Sequence, residues 1–284
     1  MRIADIVAVQ TLGDCNPESI LGDRASFYVG AEALRSFMVS RIVFTAFATL
    51  LLMGCNIADP VTLGTLIEHH TESRGGAEAI EDVWSLRLDL EITEPGFTVR
   101  GDYIATRDGY MRIDIYAGDE RVFTEALGPD GGWQLLRGET VATGLSADGE
   151  TALRRGLIGN LYGLHELPAL GYELSFAGLV TQGVEEFWAI DQVAPNGFSK
   201  RRFFDKASFL IARETETSAL HPDLDSTRTP QETFFVNYRV SAGVLFPRQS
   251  QKINSATGEI VQTVIVKSVQ VNPEIDTAEF KPPG

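Results

Sequence analysis

The chain has 284 residues, 39 acidic and 24 basic side chains, a formal charge of −15 at pH 7 and two cysteines. An acidic excess of that size speaks against nucleic acid, whose binders cluster Lys and Arg against phosphate. It also speaks against docking onto anionic lipid by charge. Two cysteines, Cys15 and Cys55, provide no disulfide framework, so the fold rests on its core alone.

The first feature along the chain is Arg41, then thirteen mostly apolar residues from Ile42 through Gly54, then Cys55. A basic flank, a short apolar core and a small residue before a cut site describe a secretory signal peptide. The run is too short for a bilayer span, which needs roughly 20 apolar residues. Leu52-Met53-Gly54-Cys55 resembles the bacterial lipobox, whose cysteine receives a diacylglycerol and becomes the first mature residue. Met38 to Arg41 makes a normal n-region, so translation is expected to start at Met38. The expected organisation is a superfluous N-terminal extension at 1–37, a lipoprotein signal peptide at 38–54, a lipidated tether at 55–60 and one β domain at 61–284. The partner of Cys55 is then the membrane, through its lipid anchor. Asn56, in place of the aspartate that retains enterobacterial lipoproteins in the inner membrane, favours the periplasmic face of the outer membrane. Past residue 54 a charge of about −14 remains, since the removed segment carries five acidic and four basic residues.

Asp59 and Pro60 read as the N-cap and first turn of a helix with Leu63, Leu66 and Ile67 on one face, stopped by Gly75-Gly76. A second short helical turn is expected over Ala77 to Val83. The period then changes to two. Leu86, Leu88, Leu90 and Ile92 alternate with Arg87, Asp89 and Glu91, a strand with one wet and one buried face. Pro95-Gly96 turns into a second strand through Phe97, Val99, Tyr103 and Ala105. Asp108-Gly109 opens a hairpin into Met111, Ile113 and Ile115. Arg121 to Leu127 and Trp133 to Leu136 follow, across the dense turn at 128–132.

Ser146 to His165 departs from this rhythm: Leu153, Leu157, Ile158 and Leu161 recur at helical spacing. Gly156, Gly159 and Gly163 weaken the pattern, at about 1 kcal/mol each in a helix interior. The reading is an inserted helix or a broken helix lying over one face of the sheet. Strands resume over 172–179, 185–193, 199–204 and 209–217. Ser218 to Gln231 has little apolar content and reads as a long loop, mobile or functional. Strands at 232–240, 248–254 and 259–271 finish the sheet, and Phe280 is expected to pin the tail. The sum is about eleven short strands in an antiparallel meander with minor α, as one domain.

Several segments together resemble a known group: Leu66 to His70, Arg74 to Ile80 with Ser85 to Arg87, Asp130 to Trp133, Phe204 to Leu210, Gly243 to Pro247 and Asn272 to Phe280. They resemble the outer membrane lipoprotein-sorting proteins, a group similar to the lipoprotein-localisation factors LolA and LolB. The resemblance spans most of 61–282 and rests mainly on turns and strand starts. It implies a curved, incomplete antiparallel barrel with helices on its concave side and an apolar cavity for acyl chains or a lipoprotein.

A sheet of this many strands must curl or split, and an uncovered inner face needs a cover. Burial of each methylene contributes about 0.8 kcal/mol, so an acyl chain has driving force to enter. Phe97, Tyr103, Met111, Ile113, Phe123, Trp133, Phe187 and Ile190 are the candidate groove lining. No catalytic set or cofactor motif emerges. His69 and His70 are adjacent, where a zincin needs histidines four apart around a glutamate; no metal site is expected. No Gly-x-Ser-x-Gly elbow occurs. Glu185-Glu186 and the Asp223/Asp225 pair read as solvated charge. The expectation is a non-enzymatic envelope lipoprotein with an apolar groove for acyl chains or lipoproteins. The alternative is a lipid-anchored sensor or scaffold whose concave face binds a protein and no lipid.

Overall fold

The computed structural model describes residues 61–283. The extension at 1–37, the signal peptide at 38–54 and Cys55 with its tether lie outside the described residues.

Thirteen strands form one antiparallel sheet that does not close. In chain order they are β1 (Ser85–Glu94), β2 (Phe97–Thr106), β3 (Met111–Ala117), β4 (Glu120–Gly128), β5 (Gly131–Leu136), β6 (Thr143–Gly144), β7 (Glu173–Gln182), β8 (Glu185–Val193), β9 (Ser199–Asp205), β10 (Ile211–Ser218), β11 (Thr229–Ser241), β12 (Val244–Asn254) and β13 (Ile260–Val271). The helices are α1 (Leu63–Arg74), α2 (Ala77–Glu81) and α3 (Ala147–Leu161), with 3-10 turns at Leu167–Leu170 and Thr277–Phe280. The architecture is the curved, incomplete barrel expected. Thirteen strands replace about eleven partly because β6 has two residues, too few to show any alternation.

The spatial order runs β6-β5-β4-β3-β2-β1-β13-β12-β11-β10-β9-β8-β7. Both edges, β6 and β7, are therefore consecutive in sequence, and α3 is the connection between them. The alternation of β1 is realised: Leu86, Leu90 and Ile92 are buried on the inner face. They pack with Tyr103, Met111, Ile115 and Phe123 against Leu153, Leu157 and Leu161 of α3. A second cluster joins Leu66 of α1 to Leu164, Leu167, Tyr172, Ile190 and Phe204.

The N-cap of α1 is Thr62, not Asp59, which is outside the described residues. Thr62 and Thr65 form a reciprocal capping box. The helix ends as expected at Gly75, whose φ is +126°. A Cβ there would lie 2.2 Å from the Gly243 carbonyl oxygen, so glycine is required by the close approach of the β11–β12 hairpin as well as by φ.

Both ends of α3 are held. Ser146 caps it by accepting from Gly149 N–H at 3.0 Å. The segment expected as a long loop contributes here, because β10 and β11 extend into it and only 219–228 remain outside strands. Asp223 accepts from Ser146 N–H at 2.8 Å, and Arg228 pairs with Asp148 at 2.9 Å. His221 Nε2 lies 2.8 Å from Glu94 Oε1 on β1. Asp223 is thus a helix-terminus partner, where its charge suits the dipole, and not simply solvated charge. At the other end Arg107 donates to the carbonyls of Val83 (2.7 Å), Ile80 (2.9 Å) and Leu161 (2.9 Å), and pairs with Glu166 at 2.5 Å. One guanidinium therefore ties the segment after α2, the end of α3 and the following turn together.

Candidate functional site

The inner face has two unlike halves. Under β1–β5 it is mainly apolar, with Glu125 and Gln134 as polar exceptions, and is filled by α3. Under β9–β12 alternation turns Lys200 and Arg202 of β9, Glu214 and Glu216 of β10, Thr233 and Phe235 of β11 and Ser250 and Lys252 of β12 to the same side, as the pairings Glu214↔Arg202, Glu216↔Lys200, Thr233↔Glu214 and Thr233↔Lys252 require. Between this floor and α3 lies a cavity of about 460 Å³. Leu164, Ile211, Phe235, Tyr238 and Phe246 supply apolar wall, and α1 contributes His70 and Arg74. That volume falls among small-molecule sites, roughly 300–1,000 Å³. A groove of about 360 Å³ between the start of α3, the 195–198 turn and the 219–228 segment adjoins it; both are lined by Arg155, Ser218 and Ala219.

The floor is an ionic network. Lys200 Nζ lies 2.7 Å from Glu214 and 3.3 Å from Glu216, and Lys252 Nζ is 3.9 Å from Glu216. Arg202 Nε is 2.8 Å from Glu214 Oε1, at an angle too poor for a hydrogen bond. Burial opposes ionisation of Glu214, but Lys200 and Arg202 outweigh it and hold the carboxyl down at about 2. Glu216 is lowered by the same contest, against burial, through Lys200 and Lys252. Burial lowers Lys252. His70 is pushed down to about 3, first by burial and then by Arg74, and its Nδ1–H donates to the Phe209 carbonyl at 2.8 Å. It is neutral at physiological pH.

Two cavity arginines stand apart from this network. Arg74 donates Nε to the Leu245 carbonyl at 3.4 Å and sits 5.9 Å from the Phe246 ring centroid. Arg155, on α3, stacks 3.8 Å over Phe198. Neither has a carboxylate within 4 Å among the described residues, and burial lowers the pKa of both.

The eight residues expected to line a groove are distributed otherwise. Phe97, Tyr103, Met111, Ile113 and Phe123 lie in or against the core beneath α3, where Tyr103 Oη accepts from Asn160 at 2.9 Å. Ile190 is in the α1 cluster. Trp133 and Phe187 have the opposite strand parity and occupy the outer face. Trp133 donates its indole N–H to the Phe280 carbonyl at 2.8 Å, which is how Phe280 pins the tail. Phe187 packs edge-on to Phe203 beneath Arg213. None of the eight lines the cavity.

The fold as a whole is similar to that of solved structures. A LolA superfamily protein from Nitrosomonas europaea aligns at TM-score 0.51 and 10% identity, over 78% of this chain and 98% of its own. The fold is LolA-like. A putative outer membrane lipoprotein-sorting protein domain from Vibrio parahaemolyticus aligns at TM-score 0.53 and 11% identity, over 76% and 94%. A DUF1329 family protein from Desulfovibrio piger gives TM-score 0.53 and 12% identity, over 77% and 96%. No family model matches the chain, and neither does any curated protein. In this chain that frame carries a charged floor beside α3.

Proposed function

We propose that the chain binds a lipid-like amphiphile in the cavity between α3 and β9–β12, as a non-enzymatic protein of the cell envelope tethered through a lipid on Cys55, on the periplasmic face of the outer membrane. The observation that carries this reading is the way α3 leaves the cavity open. Gly156 and Gly159 both line it, and a Cβ on either would meet nothing within 4 Å. No close packing requires glycine there, and each costs the helix about 1 kcal/mol relative to alanine. The helix forgoes stability where side chains would intrude on empty space. The apolar wall of Leu164, Ile211, Phe235 and Phe246 suits a hydrocarbon segment, whose burial contributes about 0.8 kcal/mol per methylene. The fold likeness to the lipoprotein-sorting protein domain from Vibrio parahaemolyticus supports the same reading.

The chain is proposed to enter beside α3 and not beneath it, since α3 is packed and tied at both ends. The test is organic extraction of the purified protein followed by mass spectrometry, together with titration of a dansylated C11 fatty acid. Co-purifying lipid, or fluorescence enhancement abolished in Gly159→Leu, is expected. An empty protein that ignores the probe would end the proposal.

A further inference from the structure

The charge lining the cavity is opposite in sign to that of the chain as a whole. Five cations line it, Arg74, Arg155, Lys200, Arg202 and Lys252, against two carboxylates, Glu214 and Glu216. The balance is +3, in a chain whose formal charge is −15. Burial disfavours the charged forms of Arg74 and Lys252 first; Arg202 adds to this at Arg74, and Lys200 and Arg155 add to it at Lys252 against the support of Glu216 and Glu214. Ordinary core design does not account for this. Replacing a buried ionic cluster with apolar residues is often neutral or stabilising by about 1–4 kcal/mol, and an uncompensated cation in a desolvated site is costly.

The two carboxylates are already engaged by Lys200, Arg202 and Lys252. That leaves Arg74 and Arg155 with aromatic rings and one long carbonyl contact at close range, while Glu166 and Glu216 act on them only from beyond 4 Å. A guanidinium presents a planar fork of donors matched to an oxyanion. Arg155 lines the main cavity, the adjoining groove and the narrow cleft toward Tyr172 and Gln192, so a group bound there sits where all three meet. The apolar residues lie along the same cavity, within reach of a ligand that has both parts.

Resting on the amphiphile reading above, we infer that the ligand is an anionic amphiphile, with a carboxylate or phosphate head held by Arg155 or Arg74 and a hydrocarbon part against Ile211, Phe235 and Phe246. The charged floor then acts as a selectivity filter: a neutral lipid leaves the two arginines unpaired, while an anion completes them.

The experiment titrates the purified protein with three probes: the dansylated C11 fatty acid, its methyl ester and inorganic phosphate, the last followed by calorimetry. The acid is expected to bind at least about tenfold more tightly than the ester, the effect of one charge-assisted contact. At least one of Arg155→Gln and Arg74→Gln, the one that removes the residue holding the head, is expected to weaken the acid about tenfold and leave the ester unchanged. Circular dichroism and thermal melts confirm that both variants fold. Equal binding of acid and ester, or both arginine variants binding the acid as the parent does, overturns the anionic assignment and leaves amphiphile binding standing. Binding of neither organic probe overturns the amphiphile reading itself. Tight binding of phosphate alone, with no gain from a hydrocarbon part, would identify a small-anion site and overturn both.

Discussion

Glu125 provides the sharpest test of the electrostatics of the inner face. On β4 it is opposite Ile113 and Gln134, among the apolar residues beneath α3. Burial, reinforced by Asp223 and opposed by His221, raises its pKa from 4.5 to about 7. Its cross-strand neighbour Gln134 has a buried Oε1 with no hydrogen-bond partner, and a protonated carboxyl is a donor on the adjacent strand. Between pH 4.5 and 7 the folded protein keeps a proton that the unfolded chain has released, so stability falls as pH rises through that window and is level above it. The difference between the two pKa values corresponds to roughly 3 kcal/mol. Glu125→Gln preserves shape and neutrality and has no proton to lose. Urea unfolding at pH 4 and pH 8 is the assay. The variant should match the parent at pH 4 within about 1 kcal/mol and exceed it by roughly 3 kcal/mol at pH 8. A stability difference that is the same at both pH values would refute the reasoning, because every other titrating group is common to the two proteins.

Arg107→Met should lower stability by about 3–5 kcal/mol, since it leaves Glu166 largely buried without its cation; Arg107→Met with Glu166→Gln should recover part of this in chemical denaturation. Gly75→Ala should cost about 1–3 kcal/mol or more, read from a thermal melt, as it meets an unfavourable φ and the Gly243 carbonyl together. Gly156→Ala should instead raise stability by about 0.5–1 kcal/mol, while bulkier residues at 159 block the fatty-acid probe. Trp133→Phe should cost about 0.5–1.5 kcal/mol through the lost bond to Phe280 and leave probe binding unchanged, because the indole is on the other face of the sheet.

The meander was legible because strands such as Leu86 to Ile92 alternate cleanly, and α3 because Leu153, Leu157 and Leu161 recur at helical spacing. The face of an individual aromatic was harder to read. Trp133 and Phe187 are as apolar as their neighbours, and only the register with Ala126 and Asp205 assigns them outward. The cavity floor was hidden for a different reason. Ser199-Lys200-Arg201-Arg202 and Glu214-Thr215-Glu216-Thr217 are polar at every position, so alternation does not say which side is covered. The available signal was opposite charge at matching spacing on neighbouring strands, Lys200 and Arg202 against Glu216 and Glu214. Asp223 and His221 were obscured because their partners, Ser146 and Glu94, are distant in sequence.

The position of β13 has a consequence for how the protein is made. β13, the last strand of the sheet in chain order, ends at Val271 and lies in the middle of the sheet between β1 and β12. A nascent chain can assemble β1–β6 and β7–β12 as two local stacks of hairpins, but their junction waits for the last strand, and closing so distant a contact is slow. Until β13 pairs, the polypeptide holds two unjoined half-sheets whose inner edges, β1 and β12, are bare and open to mispairing.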